Sequence, residues 1–129
     1  MLLLLLLTTT AAAVAEPFTL IQNLTFGDNV NAVAWSHDNP AKLAVATEEE
    51  NGGNYRAYVY DAANWTNSIE TLKDHTTWIF SVAWSHNSKF LATGSKDDSV
   101  IVYDTSTWHK VRTLTNHTAN VYSVAWSHD

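Results

Sequence analysis

The sequence contains no cysteine, so disulfide bonds, thiolate nucleophiles and cysteine-ligated zinc are excluded. This absence fits a reducing compartment but does not require one. Basic residues are also scarce: seven lysines and arginines stand against 13 aspartates and glutamates, which gives a net charge of −6. The seven are scattered along the chain and form no basic stripe that could hold a phosphate backbone. We therefore expect no nucleic-acid partner.

A hydrophobic pattern with a helical period is also missing after residue 16. The length of 129 residues is that of one domain. Hydrophobic residues make up 46% of the chain and include six tryptophans, enough for a packed core and unlike a disordered composition. The composition therefore indicates one folded domain, and the missing helical period indicates an all-β fold.

One segment occurs three times. Residues 30–37 read V-N-A-V-A-W-S-H, residues 79–86 read I-F-S-V-A-W-S-H, and residues 121–128 read V-Y-S-V-A-W-S-H. The tryptophans of successive copies are 49 and 42 residues apart. Because a four-stranded propeller blade repeats roughly every 40–45 residues, this spacing predicts propeller blades.

Each repeat divides into four strands, a to d, and strand a is the segment just described without its final histidine: residues 30–36, 79–85 and 121–127. Apolar residues at nearly every position of strand a indicate burial on both faces. The other strands are predicted at residues 43–47 and 90–95 (b), 55–60 and 99–103 (c), and 18–25, 69–73 and 111–115 (d). We expect a leading d strand, two complete a–d sets and a trailing a strand, about two and a half blades.

These features resemble the WD40 repeat family over residues 18–129. The clearest copy contains His75, the V-A-W-S-H segment, L-A-T-G-S at residues 91–95, and Tyr103 with Asp104 where the family usually has Trp-Asp. The resemblance implies an all-β, partial propeller of four-stranded antiparallel blades. Since propellers close with about 4–8 blades, this one is expected to be open. The chain would then be a fragment of a larger propeller or be completed by self-association.

The resemblance also implies function: a non-enzymatic scaffold, cytoplasmic or nuclear, that binds a protein or peptide without a cofactor. The alternative is a secreted, propeller-like carbohydrate-binding or hydrolytic protein. It is suggested by residues 1–15, a leader-like apolar segment with small residues at Ala13 and Ala15 that precedes the repeat segment, residues 16–129. Hydrolysis would need two carboxylates facing one pocket, and the adjacent Asp97 and Asp98 are expected to diverge.

A buried polar network commonly ties the blades of this family. By resemblance His75, Thr93 and Asp97 supply it in the second set, and Tyr103 replaces the tryptophan. A buried imidazole needs partners for both ring nitrogens, which a carboxylate and a hydroxyl can provide. We expect this set to be structural and not catalytic. In the first set Val45 takes the position of the hydroxyl, so we expect no network there.

Partner contacts are predicted at two places by the resemblance, which assigns them to the face that carries the d–a and b–c turns. The first is an acidic hairpin formed by an insertion in the b–c turn, and the second is a group of side chains at the entrances of the inner strands. Aromatic residues of this kind are enriched at binding hot spots. The alternative is a solvated loop and aromatic packing between blades. The predicted contact residues are Glu48, Glu49, Glu50, Trp78, Phe80, Asn120 and Tyr122.

Three histidines, His37, His86 and His128, directly follow the three copies of strand a. A ring of imidazoles could bind a metal. However, no carboxylate recurs at a fixed spacing from them, and we expect adjacent blades to hold their turns well apart. The sequence therefore predicts no metal site.

Overall fold

The computed structural model describes residues 2–6, 20–51 and 54–128 of the chain. These residues form strands joined by turns, and none of them lies in a helix long and apolar enough to cross a membrane. The strands are β1 (Leu2–Leu6), β2 (Leu20–Thr25), β3 (Val30–Trp35), β4 (Lys42–Asn51), β5 (Asn54–Asp61), β6 (Glu70–Leu72), β7 (Ile79–Trp84), β8 (Phe90–Ser95), β9 (Val100–Asp104) and β10 (Lys110–Leu114).

Strands β3 to β6 form one four-stranded antiparallel sheet, the first sheet, and β7 to β10 form another, the second sheet. In each sheet the strands lie side by side in chain order, as predicted for strands a to d. The prediction of an all-β fold made of open, four-stranded antiparallel sheets is confirmed.

The insertion in the first sheet lengthens two strands. β4 runs to Asn51 and β5 begins at Asn54, and these two residues pair across the hairpin. The ladder shifts register between Ala46 and Glu50, where the extra residues are accommodated. The insertion, predicted to form an acidic hairpin, adds no separate element, and the described part of it continues the β-ladder.

The leading d strand corresponds to β2, which pairs with β1 and with neither four-stranded sheet. Its residue Leu24 and the following Phe26 are buried against Leu43 and Val45 on the outer face of the first sheet. β1 lies within the leader-like segment, whose residues 7–15 are outside the described residues. That this segment is a leader stays a prediction.

The trailing a strand predicted at the end of the chain is not formed. Residues 121–128, which we call the trailing segment, form no strand, although they lie against the second sheet. The Val121 amide donates to the Ser95 carbonyl at 2.9 Å, and the Val124 amide donates to the Ser81 hydroxyl at 3.1 Å. Strands β3 and β7 each pair with the strand that follows them, and no strand follows the trailing segment in the described chain.

The two sheets pack with small residues against large ones. The first sheet presents alanines and a valine, and the second sheet fills the space with bulky side chains, as alternating strand residues allow. Ala44, Ala46, Ala57 and Val59 meet Ile79, Trp84, Leu91, Ile101 and Tyr103 in one buried cluster. Burial on both faces of strand a holds for β7, whereas in β3 the side chain of Val33 is 42% exposed.

The repeated tryptophans make the same contact at successive interfaces. The indole N–H of Trp84 donates to the carbonyl of Ala34, and that of Trp126 donates to the carbonyl of Ala83, both at 3.0 Å. The second copy of the repeated segment and the trailing segment therefore each contact the preceding copy in the same way.

Candidate functional site

Three aromatic side chains form a continuous row at the entrances of the inner strands. The ring centroids of Trp78 and Phe80 are 6.4 Å apart, edge to face, and those of Phe80 and Tyr122 are 5.0 Å apart and stacked. The Asn120 side-chain amide donates to the Tyr122 hydroxyl at 3.0 Å. We call Trp78, Phe80 and Tyr122 the aromatic row. The structure thus brings together four of the seven residues predicted to contact a partner.

The repeat explains the aromatic row. Phe80 and Tyr122 hold the same position in their copies of the repeated segment, so stacking the copies stacks the two rings. The first copy has Asn31 there, and its side-chain amide donates to the Ile79 carbonyl at 3.0 Å. The row therefore ends at the first sheet. Tyr122 is 69% exposed, while Trp78 and Phe80 are partly buried.

A lysine covers one end of the row. The Lys96 Nζ lies 4.0 Å from the centroid of the Trp78 ring, a cation–π contact. The Trp78 carbonyl accepts hydrogen bonds from the Lys96 amide at 2.9 Å and from the Ser95 hydroxyl at 2.8 Å. Trp78 is thus fixed by its backbone as well as by its ring. The sequence prediction did not include Lys96, because its contact depends on how the b–c turn folds over the a strand.

The acidic hairpin bonds to its own sheet. Glu48 Oε2 accepts from the Asn29 side-chain amide at 3.0 Å, and Glu49 Oε2 accepts from the Tyr58 hydroxyl at 2.8 Å. Burial, together with the Glu49 carboxylate, raises the pKa of the Tyr58 hydroxyl despite an opposing effect of Arg56. The side chain of Glu50 is outside the described residues. Glu48 and Glu49 are therefore anchored within the first sheet.

The predicted polar network is formed around His75, which is 2% exposed. Its Nδ1 lies 2.9 Å from Asp97 Oδ2, and its Nε2 lies 2.7 Å from Thr93 Oγ1. Asp97 also accepts from the Thr76 amide at 3.0 Å and from the Ser99 hydroxyl at 2.5 Å. Ser99 and Thr76 were missed by the sequence prediction, although an Asp followed two residues later by Ser is a recognisable turn signal.

The surroundings fix the protonation states of this network. Burial lowers the pKa of His75, and the hydrogen bond and charge of Asp97 offset this only in part. Burial raises the pKa of Asp97, but the hydrogen bonds from Ser99, Thr76 and His75 outweigh it and hold the pKa below its usual range. An ionised carboxylate only accepts, so His75 carries its proton on Nδ1 and its Nε2 accepts from Thr93.

Tyr103 does not complete the network. Its side chain is fully buried, and its hydroxyl has no hydrogen-bond partner among the described residues. Burial, and then the nearby Asp74 carboxylate, raise the pKa of this hydroxyl far above its ordinary value. In the first sheet the hydroxyl position is taken by the fully buried Val45, which packs in an apolar cluster.

The three repeated histidines lie next to one another, and the expectation that adjacent blades hold them apart is wrong. The ring centroids of His37 and His86 are 5.4 Å apart, and those of His86 and His128 are 5.2 Å apart. The sheets approach each other most closely along their inner strands, so equivalent residues after those strands come into contact. We call these three residues the histidine row. Within the described residues, no three Cys, His, Asp or Glu side chains converge as metal ligands.

Comparison with known families identifies the repeats. The family model for the WD domain, G-beta repeat, matches residues 66–104 and 108–129. Residues 66–129 carry WD40 repeats. Similar proteins are Protein SOF1 of Saccharomyces cerevisiae, 32% identical over 79 residues, and the WD repeat-containing protein slp1 of Schizosaccharomyces pombe, 33% identical over 82 residues. These matches cover 61% and 64% of the chain and 15% of each relative.

Solved WD40-type structures show the same fold. A chain of the crystal structure of the Mitotic Checkpoint Complex superimposes with a TM-score of 0.70 at 25% identity, covering 84% of this chain and 31% of the other. The β-propeller domain of Myceliophteria thermophila Cps50 (Swd1) also gives a TM-score of 0.70, at 19% identity, covering 87% of this chain and 34% of that one. The present chain thus has the fold of a propeller segment and spans about a third of these propeller chains.

Proposed function

We propose that this WD40-repeat chain is a non-enzymatic interaction module that binds a protein or peptide through the aromatic row and Asn120. The observation that carries the proposal is the row itself. Three rings form one surface at the inner-strand entrances, and Tyr122 is largely exposed at its end. Rigid aromatic side chains lose little conformational entropy on binding and are enriched among hot spots.

Burial of the polar network supports a role without catalysis. Thr93 is fully buried, and its hydroxyl is engaged with His75, so it is not presented to a substrate. Asp97 is committed to His75, Ser99 and Thr76, so Asp97 and Asp98 do not form a free carboxylate pair. The secreted hydrolytic alternative therefore lacks its acid and base at this position.

A peptide library displayed on phage and selected on the full chain tests the proposal. Selected peptides should bind Tyr122→Ala at least about ten-fold more weakly, as expected for a hot-spot aromatic residue. The control is Val111→Ala, because Val111 is also an exposed apolar residue (51%) but lies on the outer strand β10. Peptides that bind Tyr122→Ala as well as the native chain, or lose binding equally with Val111→Ala, would contradict the proposal.

We further propose that the chain is a segment of a larger propeller and that another blade covers the outer face of the second sheet. That face holds an open apolar groove of about 510 Å³ whose lining includes Ala92, Val100, Val102 and Trp126. The matching face of the first sheet is also made of alanine and valine and is covered by the second sheet. The chain spans only 15% of the length of SOF1, which leaves room for further blades in a protein of that kind.

A second copy of this chain is the alternative occupant of this groove. Sedimentation velocity of the full chain separates the two: a discrete oligomer that Val102→Glu dissociates would support self-completion, because a buried unpaired carboxylate is strongly unfavourable. A monomer that binds a hydrophobic dye, and loses this binding when the coding region beyond residue 129 is included, would support the larger propeller.

A further inference from the structure

The histidine row consists of exposed imidazoles in contact with one another. His37, His86 and His128 are exposed, and their ring nitrogens make no hydrogen bond to any group among the described residues. In contrast, both ring nitrogens of the buried His75 are engaged. Each residue of the row can therefore turn a lone pair toward a ligand without breaking a hydrogen bond of its ring within the described residues.

The spacing of the rings matches that of two imidazoles on one metal ion. With a zinc–nitrogen distance of about 2.0 Å and tetrahedral angles, ligating imidazoles have centroids about 5 Å apart. The observed separations are 5.4 Å for His37 and His86 and 5.2 Å for His86 and His128. We propose that His86, together with either His37 or His128, binds one late first-row divalent cation such as Zn²⁺.

The donor set decides which cations fit. The nearby Asp38 carboxylate is bonded to Lys42 and to Ser36, and the Asn87 side-chain carbonyl accepts from Ser85 and from the Lys89 amide. Among the residues that the structure describes, the row therefore offers imidazole nitrogen without free oxygen ligands. Imidazole suits Zn²⁺, Ni²⁺ and Cu²⁺, whereas Mg²⁺ and Ca²⁺ require oxygen. The remaining coordination positions belong to water, which makes the site exchangeable.

The stoichiometry is one ion per chain. His86 is shared by both pairs, and a neutral imidazole has one lone pair for a metal because its other nitrogen carries a proton. The two pairs are therefore alternative sites that compete for the same central residue. Binding also joins residues that follow successive copies of strand a. An ion on either pair therefore links the second sheet to the first sheet or to the trailing segment.

Isothermal titration calorimetry of the full chain with ZnCl₂ at pH 7.5 tests this arrangement. We expect one ion per chain. His86→Asn removes both pairs, as does the double variant His37→Asn with His128→Asn, and each should weaken binding at least about ten-fold, the lower end of the loss seen when even an outer partner of a metal ligand is removed. Each single outer variant leaves one pair intact and should lose only about two-fold, the statistical factor for two alternative sites.

The control is His109→Asn, which removes an exposed histidine outside the row and should leave zinc affinity unchanged. MgCl₂ and CaCl₂ should give no binding heat. Far-UV circular dichroism shows whether the variants remain folded, and the double variant provides a second route if His86→Asn does not. Zinc affinity of His86→Asn within two-fold of the native chain, or an equal loss with His109→Asn, would overturn the proposal.

Discussion

Replacing Thr93 by valine removes the hydroxyl that bonds to His75 and that also lies 3.4 Å from the Ile101 carbonyl. Valine has nearly the same shape, so no cavity forms, but His75 Nε2 loses the hydroxyl that lies 2.7 Å away. Because His75 is only 2% exposed, water cannot replace that donor. A buried acceptor left without a partner costs about 1–3 kcal/mol. We therefore expect Thr93→Val to lower the free energy of unfolding by about 2 kcal/mol.

Urea unfolding followed by tryptophan fluorescence measures this loss. With an m-value of about 2 kcal/mol/M, the midpoint should fall by about 1 M. The control is Thr113→Val, the same substitution at an exposed position on β10, which should change stability by less than about 0.5 kcal/mol. If the midpoint of Thr93→Val matches that of the control, the His75–Thr93 bond does not stabilise the fold and the reasoning fails.

Three further predictions concern buried positions of the second sheet and its polar network. Tyr103→Phe should leave the urea midpoint unchanged or raise the free energy of unfolding by up to about 1 kcal/mol, because it removes a buried hydroxyl without a partner; a loss of stability would show that this hydroxyl is bonded. Gly94→Ala would place a Cβ 2.9 Å from Val121 Cγ1, so we expect the free energy of unfolding to fall by about 1–3 kcal/mol and the Val121 amide to exchange its hydrogen faster. Unchanged exchange would contradict the close packing. Burial lowers the pKa of His75, so as pH falls below about 6.5 the unfolded chain binds a proton at this residue before the folded chain does, and the free energy of unfolding should decline. His75→Gln should therefore show a smaller decline in the urea midpoint between pH 7.5 and 5 than the native chain. Equal declines would refute this coupling.

Much of the fold could be predicted because the repeat carries it. The inner strands β3 and β7 follow from two copies of one segment, and the other strands of the two sheets, with β2, follow from alternation and turn residues. A strand at β1 was not predicted. The network of His75, Thr93 and Asp97 was predictable for a related reason. A buried imidazole requires partners for both nitrogens, and the resemblance indicated which residues provide them.

The rest depends on distances between repeats, which a one-dimensional period does not contain. The period shows that His37, His86 and His128 are equivalent but not that their rings touch. It also shows that the trailing segment resembles β3. However, β3 is a strand because it pairs with β4, and the trailing segment has no such partner strand among the described residues. The placement of Lys96 over Trp78 depends instead on how the turn after β8 folds over the entrance of β7 within one sheet.

The bond from a tryptophan indole to the carbonyl of the preceding repeat gives the stack a polarity. The donor always belongs to the later unit and the acceptor to the earlier one, as for Trp84 with Ala34 and Trp126 with Ala83. A unit duplicated within the gene would arrive with its own donor on one side and an acceptor on the other. Arrays of this kind can therefore grow by tandem duplication without a new kind of interface.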